Sequence, residues 1–517
     1  MESNKPALQY SWDSSWLKPY ESEWSIFEKF KYANTANMKD ILTTFGGEAI
    51  SAKLSKPIYP SEWVTELSNM NQLSDEKLSD VFGVDFKLII ATQKKTIHIL
   101  SQPTLRDNLY YCKKCLKYGY HSLFHQFKLV HYCPFHPNEK LLNYCPGCNM
   151  AIKYNLSDKT KGFECSCGHT FMNTKENYCL LWNKYKPVPV DQTIIKWLSL
   201  VSVEREVLNS FILPKRIDPE TKPNLMKYLL SIIDPNNNTK HNLNAHTATA
   251  NPKVMSQENL SNEYAEVMSI KHYDDRYRIK DKLEKKVFTE IYDSTKLTYN
   301  AVSSHLLKTV LRKHKSCIKR FFNFDVDVEP ICPYAYAYVH WRKHIEGLYR
   351  FQDVDSYRIV NTKLEYNYLN TISKIDYDEM NHVLLEWERL NDYKNEREEV
   401  PVKFRCLSAT KWVVNHVLYL LIVNHFYNWL KFAGEERHIN KGHVYFYHML
   451  PPQYKYKDLP YYLIRVPDKS KSQNSVEMHW WIENDLSKLK YSCPFDTVKK
   501  RRHRHTNSDA NIFSGYI

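Results

Sequence analysis

The sequence predicts a mainly α-helical protein of several domains, with one small region in the N-terminal half that is stapled by metal ions. Three observations lead to this fold class. The chain has 517 residues, which is enough for about two to four domains. Apolar residues recur at helical spacing over most of the chain. Between residues 105 and 179 that spacing is lost, and cysteine, histidine, glycine and proline replace it.

The N-terminal region, residues 1–104, is predicted to be helical. In the segment SWLKPYESEWSIFEKFKYAN, Trp24, Phe27, Phe30 and Lys31 follow a helical repeat. We therefore expect a helix on an aromatic core. The sequence starts without the basic and apolar segments of a secretory signal, so a cytoplasmic location is expected.

Region 105–179 contains four pairs of cysteine and histidine residues at spacings typical of metal-binding knuckles. The first and second pairs are separated by 17 residues and the third and fourth by 16, as in short zinc folds. Cytosolic cysteines stay reduced, so they are expected to bind Zn²⁺ rather than form disulfides. The eight predicted zinc ligands are Cys112, Cys115, Cys133, His136, Cys145, Cys148, Cys165 and Cys167.

Sequential pairing of these knuckles gives a Cys₃His site and a Cys₄ site, whereas a cross-brace would join the first pair with the third. Cross-brace folds leave few residues between the middle pairs, and here the eight residues PNEKLLNY intervene. We therefore predict tandem zinc ribbons, short β-hairpins that hold two ions, with Leu141 and Leu142 packing one ribbon on the other. A catalytic zinc keeps an open position, so two closed four-ligand sites predict structural metals.

Four further regions follow the ribbons. Residues 180–234 contain two candidate helices. Residues 235–262 are polar and rich in asparagine, without an apolar period, which predicts a linker. Residues 263–433 are mostly helical in pattern and form the candidate DNA-binding region. Residues 434–517 are mixed and end in a basic tail.

A candidate DNA-reading element lies between residues 280 and 314. Leu283, Val287 and Ile291 mark one helix. A polar break follows, and a second helix is marked by Val302, Leu306, Leu307, Val310 and Leu311. Such a pair could be a helix-turn-helix or a plain amphipathic hairpin with a solvated polar face. In the first case the second helix would present polar residues to double-stranded DNA. These residues are Asn300, Ser303, Ser304, Lys308 and Arg312.

The C-terminal half also contains ligand types for a third zinc site. His314 and Cys317 have knuckle spacing, and Cys332 and His340 follow at looser spacings. Scattered cysteines are more often small buried hydrophobic residues, which is the alternative. The sequence therefore predicts two zinc ions per chain and leaves a third open.

The basic tail carries a dense run of cations. Such runs are usually solvated and disordered in the free protein, and on DNA this one could contact phosphates. The predicted phosphate contacts are Lys499, Lys500, Arg501, Arg502 and Arg504.

Two bulk properties narrow the class of partner. The longest apolar run, VLYLLIV at 417–423, is far shorter than the roughly 20 residues of a membrane span, so it predicts a buried core helix and no membrane partner. A total of 72 Lys and Arg against 58 Asp and Glu gives a net charge of +14. This excess favours a polyanion, with nucleic acid the leading candidate, although a basic surface that maintains solubility would give the same count.

Motifs for catalysis are lacking. The sequence has no His-Glu-x-x-His, no zinc-deaminase signature and no Gly-x-Ser-x-Gly, and its 11 glycines form neither a phosphate loop nor a dinucleotide fingerprint. A nuclease with separated acidic residues is the alternative, although any long chain offers such residues. We predict no enzyme and no catalytic residues.

The motifs of the ribbon region resemble the zinc ribbons of the TniQ/TnsD family of bacterial transposon target-selection proteins. They occur in the order YCKKCLKYGYHSLFHQ, HYCPFHPNEKLL, NYCPGCNMAIKY and FECSCGHTF, and the eight zinc ligands carry over one by one. At the family's Gly-Tyr-His and His-Gln element, His121 and His125 are expected to be packed side chains, as is His131. The segments SWLKPYESEWSIFEKF, TYNAVSSHLLKTVLRKHKSC and CPYAYAYVHWRKHIEGL are similar more loosely, the last two to longer TnsD-type members.

This resemblance implies a non-catalytic protein of the bacterial cytoplasm, associated with the nucleoid. Such a protein binds double-stranded DNA at a target site and recruits a AAA+ ATPase transposition regulator and a transposase. The alternative is a scaffold that links a guide-RNA or other targeting complex to the transposition machinery with little direct DNA reading. Scaffolds of that kind are shorter, so the long region after the linker favours direct binding.

Overall fold

A computed structural model describes most of the chain in segments, and the structural statements below concern these segments. They are residues 10–48, 50, 65–67, 70–97, 104–157, 161–172, 177–213, 221–234, 240–250, 293, 296–322, 330–346, 407–435, 460–465 and 476–496. The described residues are mostly helical, as predicted, and carry small antiparallel sheets. They divide into two compact units. The first unit comprises the described residues within Met1–Lys280, Asn381–Val413 and Tyr461–Trp481. The second unit comprises those within Asp281–Met380, Val414–Pro460 and Ile482–Ile517.

Among the described residues of the first unit before residue 98, the α-helices are α1 (Glu23–Asn34), α2 (Met38–Phe45), α3 (Asp75–Phe82) and α4 (Phe86–Ile97). Ser22 caps α1 by accepting a hydrogen bond from the N–H of Ser25, and Asn37 and Asp40 form a capping box on α2. The structure confirms the predicted aromatic core, because Trp24, Phe27 and Phe30 of α1 are buried together.

Charged residues of α1 are buried as well, which an amphipathic surface helix would not show. Lys29 Nζ lies 2.7 Å from Glu21 Oε1, and Lys31 Nζ lies 2.8 Å from Glu28 Oε1. Glu28 also accepts a hydrogen bond of 2.6 Å from the backbone N–H of Phe163. These contacts seat α1 against the cysteine-rich region, whose chain covers the polar side of the helix.

The cysteine-rich region is built from short elements. Its described parts contain α5 (Lys113–Lys117), α6 (Leu123–Gln126), β1 (Tyr132–Cys133) and β2 (His136–Lys140). The strands β1 and β2 form an antiparallel hairpin in which Cys133 pairs with His136.

Two consecutive leucines leave β2 toward different cores. Leu141 lies in the core that also contains Cys112, Cys115 and Cys133, whereas Leu142 packs against the aromatic core of α1. Backbone hydrogen bonds hold both residues, from the N–H of Leu141 to His131 and in both directions between Leu142 and Tyr111. The sequence predicts that this pair packs one ribbon on the other, but in the structure each leucine packs into a different core.

The rest of the first unit combines helices with a four-stranded sheet. The helices are α7 (Tyr178–Lys184), α8 (Gln192–Ser199), α9 (Ser202–Asn209) and α10 (Lys222–Ile233). The strands are β3 (Phe211–Ile212), β4 (His246–Ala250), β5 (Tyr461–Arg465) and β6 (Val476–Trp481), and they pair antiparallel in the order β3-β5-β6-β4.

Strand β4 lies within residues 235–262, where the sequence predicts a linker. It is an edge strand that pairs with β6 along its whole length. Its two alanines are more buried than the neighbouring threonines, but alanine is so small that this alternation gives only a weak strand signal in the sequence. Backbone pairing to a distant strand creates this element, and a local pattern does not reveal it.

The described part of the second unit is mostly helical. A helix over residues 296–308, α11, is followed by a 3₁₀ turn at Arg312–His314. The next helices are α12 (Lys315–Phe322), α13 (Pro333–Ile345) and α14 (Leu407–Glu435), of which the residues from Val414 onward belong to this unit.

The core of the second unit lies where α13 packs on α14. The indole N–H of Trp341 donates to the backbone oxygen of Ile422 at 3.0 Å, and Val417 and Leu418 of the predicted apolar run are fully buried. The run is therefore part of a core helix, as predicted. No helix in the described segments has both the length and the apolar character required to cross a membrane.

Candidate metal centres

The first candidate metal centre joins Cys112, Cys115, Cys133 and His136. Cys112 precedes α5 and Cys115 lies within it, whereas Cys133 ends β1 and His136 begins β2. Nδ1 of His136 lies 3.6 Å from the sulfur of Cys112, 3.3 Å from that of Cys115 and 3.7 Å from that of Cys133. The sulfurs of Cys115 and Cys133 are 3.5 Å apart.

These separations fit one metal ion. A tetrahedral ion with Zn–S bonds of about 2.3 Å places its sulfur ligands about 3.8 Å apart. The sulfurs are too distant for a disulfide bond of about 2.05 Å. Three thiolates and one imidazole nitrogen are a donor set compatible with zinc, and the three cysteines are buried. The first cluster can therefore hold a metal ion with four protein ligands.

His125 lies behind this centre rather than in it. Burial lowers the pKa of His125 to about 4, so the ring is neutral at pH 7. The backbone N–H of Ser122 donates to its Nδ1 at 3.2 Å, so the proton is on Nε2. Nε2 lies 3.4 Å from the sulfur of Cys133 and donates to it. A donor of this kind stabilises a metal-bound thiolate and fixes its orientation.

His121 joins the centre to α1. Its Nε2 donates to the backbone oxygen of Tyr110 at 2.8 Å, so its Nδ1 accepts from the hydroxyl of Ser22 at 2.7 Å. Ser22 is the residue that caps α1. Burial lowers the pKa of His121 well below its usual range. The structure places His121 and His125 outside the ligand clusters, in the packed positions expected from the sequence.

The second candidate metal centre joins Cys145, Cys148, Cys165 and Cys167. The sulfurs of Cys145 and Cys167 are 3.7 Å apart, and those of Cys148 and Cys165 are 3.9 Å apart. All four lie within 4.8 Å of one another. This centre is shallower than the first, because Cys148 is half-buried and Cys167 is exposed.

Gly147 shapes the knuckle of the second centre. Its N–H donates to the sulfur of Cys145 at 3.3 Å. A Cβ atom at this position would lie 2.9 Å from Cβ of His169 and 3.3 Å from the sulfur of Cys167. The close approach of the two knuckles therefore requires glycine here. Both centres use the sequential pairing of the knuckles.

A third cluster lies in the second unit and joins His314, Cys317, Cys332 and Cys493. Nδ1 of His314 lies 3.5 Å from the sulfur of Cys332. The sulfur of Cys493 lies 3.7 Å from that of Cys317 and 3.6 Å from that of Cys332. The cluster can hold a metal ion with the same donor set as the first centre.

The fourth ligand of this cluster differs from the sequence prediction, which named His340. His340 lies on the buried face of α13, where its ring stacks on Trp429 with centroids 5.4 Å apart and contacts Tyr336 at 4.2 Å. Burial lowers its pKa to about 3. Cys332 lies at the N-terminal end of α13, whereas His340 lies eight residues further along, about two turns into the helix. His340 is therefore far from the cluster and faces the core.

The predicted DNA contacts are distributed unevenly. Lys308 and Arg312 are exposed and Ser304 is half-buried. Ser303 is fully buried, and its hydroxyl lies 3.0 Å from that of Tyr338, so it faces the core rather than solvent. Oδ1 of Asn300 is buried without a hydrogen-bond partner among the described residues.

Other residues that the sequence predicts to take part in DNA binding lie outside the residues that the structure describes. Leu283, Val287 and Ile291, which mark the first helix of the predicted pair, lie outside the described residues. The same holds for the tail residues Lys499, Lys500, Arg501, Arg502 and Arg504.

Sequence reasoning missed two groups of residues. Cys493 is 161 residues from Cys332, and no spacing rule connects them. Four further exposed cations follow Arg312 in the sequence, and the charge run RKHKSCIKR would have indicated them. They are Lys313, Lys315, Lys319 and Arg320.

No protein-family model, no curated protein and no solved structure matches this chain.

Proposed function

We propose that the protein is a zinc-stabilised, non-enzymatic adaptor that binds double-stranded DNA and selects the target site of a transposon. The observation that carries this proposal is the pair of four-ligand clusters in the cysteine-rich region, whose side chains offer four sulfur or nitrogen donors each. A catalytic zinc typically has three protein ligands and one open position, so clusters of this kind suit structural ions.

Two zinc ions would act as clamps for a region that is too small to fold on its own core. The elements around the first centre are helices of four or five residues and strands of two or five residues. Small domains of this kind rely on metal for stability. The buried contacts from Ser22 and Glu28 to the region extend the effect of the clamp to α1. Zinc removal would therefore disturb the N-terminal helices as well.

The second unit offers a surface for the phosphate backbone. Residues 308–320 carry six exposed cations and no acidic residue. Such a cluster attracts polyanions, and the net charge of +14 acts in the same direction. Helix α11 supplies Ser304 and Lys308 on its accessible side. Either a helix-turn-helix or a basic amphipathic face would use these residues.

The proposed partners rest on the resemblance of the cysteine motifs to the TniQ/TnsD family. They are a AAA+ ATPase transposition regulator and a transposase, recruited to the bound target. A scaffold that joins a guide-RNA complex to the same machinery is the competing function, and it predicts little direct DNA reading.

The test is selection of duplexes from a random library with the full-length zinc-loaded protein, followed by gel retardation of the enriched duplex with and without Mg²⁺. We expect a specific retarded complex and intact DNA. A parallel sample treated with a zinc chelator should lose specific retardation together with the folded ribbon region. Retention of both after metal removal would overturn the role of zinc. Failure to enrich any sequence would favour the scaffold, and cleavage in Mg²⁺ would identify an enzyme.

A further inference from the structure

We propose that His314, Cys317, Cys332 and Cys493 bind a third zinc ion, and that this ion fastens residues 485–496 to the helices α12 and α13. The site is independent of the proposed DNA-binding function, because it follows from donor chemistry and packing in the second unit alone.

The donor atoms converge as a metal requires. The three sulfurs and one imidazole nitrogen lie within 4.8 Å of one another. The separations between ligand atoms, from 3.5 to 3.7 Å, are close to the edge of about 3.8 Å expected for a tetrahedral zinc–sulfur site. A disulfide would use two cysteines and leave the third thiol and the imidazole without a role, and the sulfurs are too far apart for one. Metal binding employs all four groups.

The backbone around the cluster presents the ligands in the manner of a built site. His314 ends a 3₁₀ turn, and Cys317 lies in the first turn of α12. Cys332 occupies the N-cap position of the 13-residue helix α13. Helix N-termini favour negative charge, which would stabilise a metal-bound thiolate at this position.

Side chains beside the ligands seat the segment that carries Cys493. The ring of His314 stacks on Tyr334 with centroids 4.0 Å apart, and the hydroxyl of Tyr334 accepts a hydrogen bond of 3.1 Å from the backbone N–H of Tyr491. The guanidinium of Arg320 lies 4.5 Å from the ring centroid of Phe495. Contacts two residues to either side of Cys493 therefore agree in placing its sulfur at the cluster.

Gly434 on α14 shows how closely residues 485–496 approach this helix. A Cβ atom at Gly434 would lie 2.1 Å from the ring of Tyr491. The helix can accept this ring only because position 434 has no side chain. The approach of residues 485–496 to the helices is therefore specific in its packing as well as in its ligands.

The third centre differs from the other two in topology. The first and second centres each draw their ligands from a short stretch of chain, whereas Cys493 is 176 residues from Cys317. A metal that closes so long a loop restricts the unfolded chain far more than a local knuckle does. It also fixes the basic segment 308–320 at two positions, His314 and Cys317. That consequence bears on DNA binding only if the proposed function holds.

Metal content of the full-length protein tests the site. Zinc per chain is measured by elemental analysis of protein purified with zinc present, for the wild type and for Cys493→Ser, Cys493→His and Cys179→Ser. We expect three zinc ions in the wild type, two in Cys493→Ser and three in Cys493→His, which keeps a ligand. Cys179→Ser should keep three, because Cys179 belongs to none of the clusters. Two zinc ions in the wild type, or three in Cys493→Ser, would overturn the proposal.

Alkylation of the wild-type protein supplies a second measurement that does not depend on a variant folding. Cys493 is half-buried, so a small maleimide can reach it once it is free. Mass spectrometry should find Cys493 protected in the zinc-loaded protein and modified at least tenfold faster after chelation, at the same time as Cys317. Rapid modification of Cys493 with three zinc ions bound would show that another residue closes the site.

Discussion

Nε2 of His125 donates a hydrogen bond to the sulfur of Cys133 across 3.4 Å, and Nδ1 of the same ring accepts from the backbone N–H of Ser122. The ring thus connects a backbone turn to a ligand of the first metal centre. Its neutral, buried state allows one nitrogen to accept and the other to donate. This relationship leads to the first prediction.

Replacement of His125 by phenylalanine should weaken zinc binding at the first centre by about 10- to 100-fold, the usual effect of losing an outer hydrogen-bond donor. Phenylalanine keeps a ring in the site but removes the donor to Cys133. The measurement is competition with a chromogenic chelator. The second centre provides an internal control, because its ligands do not contact His125. An unchanged affinity at the first centre would show that the contact has no influence on the metal.

The two centres in the cysteine-rich region should differ in what their loss costs the fold. Cys115→Ser and Cys148→Ser should each release one zinc ion. Cys115 is fully buried within the core, whereas Cys148 is half-buried at a shallow site. We therefore expect the larger fall in Tm for Cys115→Ser, measured by thermal unfolding beside the zinc content. Equal falls in Tm would mean that the burial of a centre does not determine how much its zinc ion stabilises the fold.

The buried pair of Lys29 and Glu21 should be more damaging to break than to replace. Burial raises the pKa of Glu21, and Lys29 opposes that rise. Lys29→Met leaves a buried carboxylate without its partner, which costs about 3–5 kcal/mol. The double variant Lys29→Met with Glu21→Gln should recover much of this loss. Thermal unfolding measures both, with Lys39→Met at an exposed site as the control. A double variant no more stable than the single one would contradict this account.

The basic segment of the second unit, residues 308–320, should contribute to DNA affinity by binding phosphate groups. Lys308→Gln with Arg312→Gln should weaken DNA binding for all sequences and reduce the slope of log K against log salt by about 2. Ser304→Ala should instead relax sequence preference with little effect on overall affinity. Lys39→Gln in the first unit is the matched charge control. If the slope of log K against log salt were the same in the Lys308 and Arg312 double variant as in the wild type, these residues would not belong to the DNA interface.

Prediction from the sequence succeeded where the determining contacts are local. The knuckles at Cys112 and Cys145 follow from spacing, because two ligands separated by two residues turn toward one ion. The helix of Trp24, Phe27 and Phe30 follows from its period. The seating of that helix on buried charges could not be foreseen, since the residues that cover Glu28 lie 135 positions away.

The prediction for Ser303 failed for a geometric reason. The sequence predicts a helix that continues to residue 311 and has Leu306, Leu307 and Val310 on its apolar side. In the structure α11 ends at residue 308 and both Leu307 and Val310 are only half-buried. The predicted residues Val302 and Leu306 are fully buried, as is Tyr299, and Ser303 lies on this buried side. A polar residue that bonds Tyr338 in the core cannot be told from a surface residue by pattern alone.

The leucine pair after β2 limits how the cysteine-rich region can change length. Leu141 enters the core of the first centre and Leu142 the aromatic core of α1, so adjacent residues serve opposite sides of the chain. One residue added between His136 and Leu141 would exchange the two destinations and send each side chain to the wrong side. The connector between the two centres therefore tolerates substitution far better than insertion or deletion. Its length determines the core into which each leucine packs, and so it fixes the position of one centre relative to the other.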